Sequence, residues 1–233
     1  ENEEKQTPKI LAPNLAYVFR DFLTRNNVQS VRFSGNGSLA LGGLSNVWSA
    51  LAPVFTDRDL KDFPFSKSEL LPFYEQTAKR IGISGPDSGD LYDWLGGAHL
   101  SLQENLKLHP LSEYMFTQYN KKREKVNQNG ISFGLHNQAI LTKQLGKRKP
   151  FSQEDSNHFT YYSEAIYNSA LEIPEILQYK NFSLKDGHFV TSIQNEGGIF
   201  TIDTTDRQNN FHAFRAKKVI LAAGTIGSTR IFF

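Results

Sequence analysis

The feature that most limits what this chain can fold into is residues 218–233, Lys-Val-Ile-Leu-Ala-Ala-Gly-Thr-Ile-Gly-Ser-Thr-Arg-Ile-Phe-Phe. The apolar run at 219–222 suits a buried strand, and the segment after Gly224 reads as the first turns of a helix. Three very small residues, Ala222, Ala223 and Gly224, join them. A strand that enters a helix through such residues lets the backbone approach another group closely. The helix N-terminus then offers unpaired N–H groups and a partial positive charge, the chemistry of a phosphate-binding turn.

Length and composition narrow the partners. At 233 residues with 39% hydrophobic content, the chain can bury one large core or two modest ones. A net charge of +2 is too balanced to indicate nucleic acid. The basic clusters at 121–125 and 143–149 read as solvated loops. With no cysteine, disulfides, thiolate metal sites and cysteine nucleophiles are excluded. No run approaches the roughly 18 apolar residues of a membrane helix, and no basic-then-apolar leader opens the chain, so a cytoplasmic protein is expected. The chain starts at Glu1 rather than Met and stops inside an apparent helix, so both ends read as cuts.

Along the chain, residues 1–9 are polar and read as loose. Apolar residues at three- and four-residue spacing over 15–23 predict an amphipathic helix, and 28–33 a short strand. Ser66 and Glu69 have capping-box spacing. Pro72 reads as the first residue of a following helix, and Gly82 as its stop. Residues 106–108 and 131–134 suggest short strands. Alternating patterns at 189–193, 199–204 and 211–216 predict a three-stranded meander, with turns at 196–198 and 206–210.

Two glycine-rich segments compete as binding loops. Gly35, Gly37 and Ala40 match G-x-G-x-x-A, with Asp57 about twenty residues on. Gly42 and Gly43 follow at once and Pro53 soon after, so no long helix can open there, which argues against a nicotinamide-linked dehydrogenase. In the second segment, Gly42-Gly43-Leu44-Ser45-Asn46-Val47-Trp48-Ser49, paired glycines permit close backbone approach. Ser and Asn offer hydrogen bonds, and Trp offers a flat wall. A tight turn beside a core tryptophan explains the same residues.

Taken in order, the 42–49 segment, residues 63–75 with 81–85, and residues 219–230 resemble the glucose–methanol–choline (GMC) oxidoreductases. These are FAD-dependent enzymes acting on alcohols, and the resemblance is closest to bacterial members. It covers roughly residues 8–233 and implies an α/β fold: part of a Rossmann-like FAD/NAD(P)-binding domain with a β-meander, plus part of a substrate-binding domain. The implied division is 1–55 as an FAD-domain segment, 56–165 as a substrate-side region and 166–233 as the return to the FAD domain. The implied cofactor contacts are Gly42, Gly43, Ser45, Asn46, Trp48, Ser49, Val190, Ala222, Ala223 and Gly224. Relatives with covalent flavin carry histidine where this chain has Val47, so the FAD implied is non-covalent.

The implied reaction is hydride transfer from the CH–OH group of an alcohol or sugar to flavin N5. The family's N-terminal G-x-G-x-x-G unit and its catalytic histidine region have no match here. The chain therefore reads as an internal fragment with no catalytic residue of its own. None of His99, His109, His136, His158, His188 and His212 matches the catalytic position, and no histidine spacing suggests a metal site. The expected partner is a small alcohol or sugar, with no nucleic acid and no membrane span. The competing reading is a non-catalytic fragment or a degenerate flavoprotein-like binding module.

Overall fold

A computed structural model describes residues 13–29, 31–32, 35–152 and 164–232. The chain divides into two compact units. Unit 1 comprises Glu1–Asn46 and Ser169–Phe233, and unit 2 comprises Val47–Asn168.

The organising element of unit 1 is an antiparallel sheet of β1 (Phe189–Glu196), β2 (Ile199–Thr205) and β3 (Phe211–Ala216), in the order β1-β2-β3. The alternation in the sequence produces these strands, and local turn chemistry fixes their pairing. Gly197 and Gly198 both have positive φ, 58° and 82°, as a tight hairpin turn matching strand twist requires. The second turn is built on Asp206, whose carboxylate accepts from Gln208 N, Asn210 N, Asn210 Nδ2 and His212 Nε2 at 2.8–3.0 Å. The His212 contact foremost, with Asn210 next, holds this carboxyl well below the usual range. The β1–β2 register shifts between Val190 and Ser192, leaving Thr191 as an extra, bulged residue. Its hydroxyl donates to Asp203 O at 3.1 Å.

The amphipathic stretch at 15–23 is helical in pieces. A 3₁₀ turn (Pro13–Leu15) runs into α1 (Ala16–Phe19), and α2 (Phe22–Arg25) follows. Asp21 breaks the helix because its φ of 61° lies in the left-handed region. The apolar spacing survives the break, since Leu15, Val18 and Phe22 are all buried. The expected strand at 28–33 does not form: residues 28, 29, 31 and 32 are irregular, and 30 and 33 lie outside the described residues. The expectation for residues 1–9 lies outside them as well. Of two short elements after Ser169, a 3₁₀ turn spans Ser169–Glu172 and α7 spans Ile173–Ile176. Unit 1 closes with α8 (Gly224–Phe232).

Unit 2 is helical and irregular, with α3 (Lys67–Ile81), α4 (Asp90–Trp94), α5 (Pro110–Lys121) and α6 (Arg123–Asn127). The capping box at Ser66 and Glu69 is complete, and Gly82 ends α3 at φ 75°. Pro72 starts no second helix. It lies inside α3, where its missing N–H leaves Ser68 without the usual i+4 donor. Asp90 gathers α4, α5 and α6 by accepting from Arg123, Tyr119 and Asn127. Arg123 is the main reason its carboxyl sits far below the ordinary range. The core comprises Ala50, Ala78, Ile83, Ala139, Ile140, Leu141, Ala165 and Ile166. It is tied by isolated bridges, such as Ser84 with Gln138 and Leu51 with Gln138. No strand forms at 106–108 or 131–134.

This architecture overturns the fold expected from the resemblance. A Rossmann-like α/β domain is a parallel sheet made of strand–helix–strand crossovers. The named sheet here is a purely antiparallel meander, and parallel pairing among the described residues is confined to a single bridge, Ser84 with Gln103. The expected strand at 219–222 takes no regular structure and joins no described sheet, with Ile220 92% exposed. The assignment to the GMC oxidoreductases falls with the fold.

Candidate ligand cleft of unit 1

One cleft of about 860 Å³ opens within unit 1, a size common for small-molecule sites. One wall is residues 35–40 with the Gly42-Gly43 turn, and another is Ala222, Ala223 and the first residues of α8. His188, Phe189 and Val190 approach from the start of β1.

Each wall is shaped by a local backbone requirement. Gly37 has no side chain because the Phe22 ring occupies its place; a Cβ there would lie 2.0 Å from the ring. Gly42 and Gly43 take φ of 84° and 55° to enter the 3₁₀ turn Gly43–Asn46, and a Cβ on Gly42 would press on Ala170 at 3.0 Å. Ala223 N donates to Ser228 Oγ at 3.1 Å, covering one N–H at the entry to α8.

Arg230 closes the back of the cleft. Its Nε donates to Asn26 Oδ1 at 2.9 Å, and its terminal nitrogens donate to Val190 O at 2.5 Å and Thr191 O at 3.4 Å. The guanidinium carbon sits 4.5 Å from the centroid of the Phe189 ring, and Arg25 approaches the same ring at 5.6 Å. Burial shifts the Arg230 guanidinium below its usual pKa. Asn26, itself buried, is held by its Nδ2 donating to Phe22 O at 2.8 Å. One arginine thus joins α8, β1 and the segment after α2.

Of the ten residues singled out from the sequence, Gly42, Gly43, Val190, Ala222, Ala223 and Gly224 line this cleft. Ser45 and Asn46 belong to the same turn, but their polar atoms serve it internally. Ser45 Oγ donates to Gly42 O and accepts from Ser169 N. Asn46 Nδ2 donates to Leu41 O and Gly43 O, both at 2.8 Å. Trp48 and Ser49 belong to unit 2, where the Trp48 indole donates to Tyr167 O at 2.7 Å and packs on the core. Sequence reasoning missed His188, Asn26 and Arg230 as cleft residues. Asn26 and Arg230 are 204 positions apart, and no local spacing announces such a pair.

These placements also correct the chemistry. Gly42 and Gly43 are explained by turn geometry, and Gly37 by the Phe22 ring. The Ser45, Asn46 and Trp48 side chains expected on a flavin bond to protein backbone instead. Among the described residues there is no parallel sheet, and no strand end and crossover helix are set to hold a pyrophosphate. Bound FAD and flavin-dependent oxidation of an alcohol are therefore set aside, and the structure supports the non-catalytic alternative better. Among the described residues, no group of three or more His, Cys, Asp or Glu could hold a metal, and no helix is long and apolar enough to cross a membrane. No family model matches the chain, and no curated protein matches it.

Proposed function

We propose that the chain is a non-catalytic binding module that takes a small polyhydroxylated molecule, an alcohol or sugar, in the cleft of unit 1. The observation that carries this reading is the convergence on one cleft of the glycine-rich segment, the start of β1 and the Ala222-Ala223-Gly224 entry to α8. Its walls combine backbone polar groups with Phe189, Val190 and Ile226, a mixture suited to a ligand bearing both hydroxyls and C–H faces. The chain's near balance of charge favours no nucleic-acid partner.

The test is ligand-observed NMR by saturation transfer with D-glucose, D-xylose, sorbitol and myo-inositol against the full chain. Binding of at least one is expected, and it should be lost in Ala222→Trp, which places an indole at the cleft wall. No transfer to any of the four compounds, or transfer unchanged in Ala222→Trp, would overturn the assignment.

A further inference from the structure

His188 lies one residue before β1 and lines the cleft. Its ring is held from behind. Nδ1 sits 3.1 Å from Oγ1 of Thr204, which is almost fully buried. The rings of His212 and Phe214 flank the imidazole, with ring centroids 4.9 and 5.1 Å away and planes near perpendicular. Thr204 Oγ1 also lies 3.3 Å from His212 O. A carbonyl only accepts, so the single hydroxyl proton of Thr204 goes to that carbonyl. The His188 Nδ1–Thr204 bond must then take its proton from the imidazole. In the neutral ring this leaves Nε2 as an acceptor, which is the opposite of what a donor-lined site would offer.

Three of the other polar side chains that line the cleft are already engaged. Asn26 bonds Arg230 and Phe22 O, Arg230 bonds three oxygens, and Ser169 Oγ lies against Gly42 O and Ser45 Oγ. We propose that His188 recognises a ligand hydroxyl in this cleft, accepting its hydrogen bond at Nε2. Thr204 serves as the positioning residue that fixes the tautomer. The cleft would then select a sugar or polyol, whose hydroxyls donate, over a molecule of equal size that carries only acceptors. This rests on the proposed binding function.

Two experiments on the full chain test it. In a long-range ¹H–¹⁵N spectrum of the free protein, His188 is expected as the Nδ1–H tautomer, and an Nε2–H signal overturns the proposal. Titration of whichever of the four compounds binds best should then separate two isosteres. His188→Asn keeps a donor for Thr204 but has no acceptor at the ε position, so affinity should fall about five- to tenfold. His188→Gln places an amide oxygen near that position and should hold affinity within about twofold.

Equal affinity in wild type and His188→Asn, with both melting alike, would remove His188 from recognition while leaving the binding function intact. Loss in both variants together with lowered melting temperatures would make His188 a structural residue and overturn the proposal. If the wild type binds none of the four compounds, the binding function and this inference fall together.

Discussion

Gly82 and Leu141 offer a sharp test of the unit 2 core. Gly82 caps α3 at φ 75°, and a Cβ built on it would lie 2.1 Å from Leu141 Cδ2 and 3.0 Å from Leu145 Cδ2. Leu141 is fully buried. In Gly82→Ala the left-handed backbone costs about 1–2 kcal/mol, and the overlap with Leu141 adds about 1–3 kcal/mol. A total near 3 kcal/mol is expected. Leu141→Ala removes a buried leucine and opens a cavity, which costs about 3–4 kcal/mol.

If the two sites were independent, the double variant would lose their sum, about 6–7 kcal/mol. The structure says otherwise, because removing Leu141 Cδ2 frees the space that the new methyl enters. Only the backbone strain and part of the cavity should remain, about 4–5 kcal/mol, for a coupling of about 2 kcal/mol. Urea unfolding followed by tryptophan fluorescence reads this directly, since Trp48 packs on the same core and bonds Tyr167 O. Two single losses that add to within about 0.5 kcal/mol in the double variant would refute the packing argument.

Other consequences can be checked with the same protein. Ser66→Ala removes the capping hydroxyl of α3 and should cost about 1 kcal/mol in urea unfolding, with Ser66→Asp close to wild type. Arg230→Lys keeps the charge but loses the planar fork that reaches Asn26 and two β1 carbonyls, so a loss of about 2 kcal/mol in unit 1 stability is expected. Hydrogen exchange should show it first in β1 and α8.

Glu75 gives a pH dependence of defined sign. Its ion pair with Lys79, together with the Ser101 bonds, lowers its pKa from 4.5 to about 2. A folded value below the unfolded one means that the pair's stabilisation is present above pH 4.5 and is lost as pH falls toward 2. The gap in melting temperature between wild type and Glu75→Gln should therefore close over that window. A gap that stays constant would show that the carboxylate does not act through its charge.

Legibility in the sequence followed the range of the interactions. The meander could be read because β alternation, Gly197-Gly198 and the Asp206 turn all act within a few residues. The ends of α3 were readable for the same reason, since Ser66, Glu69 and Gly82 bond only to near neighbours. Residues 219–222 misled because an apolar run looks the same whether or not a partner strand exists. Pro72 misled because a proline six residues into a helix can be accommodated when only one carbonyl goes without its donor. The glycines of the cleft were recognised as unusual, yet their cause was invisible. At Gly37 it is an aromatic ring fifteen positions earlier. The terminal motif was clear as chemistry but not as a partner, for Arg230 engages residues 40 and 204 positions away.

The bulge at Thr191 has a consequence for phase. Successive carbonyls of a regular strand point to opposite sides, so one guanidinium could not bond two in a row. The extra residue turns Val190 O and Thr191 O toward the same arginine. It also shifts the alternation of everything before it by one step, which sets the side of the sheet on which His188 and Phe189 emerge. Deleting Thr191 would restore an ordinary ladder and move each ring to the face opposite its present one. A single inserted residue thus acts as the clock of this hairpin, letting the near end of β1 meet α8 while both ends keep time with β2.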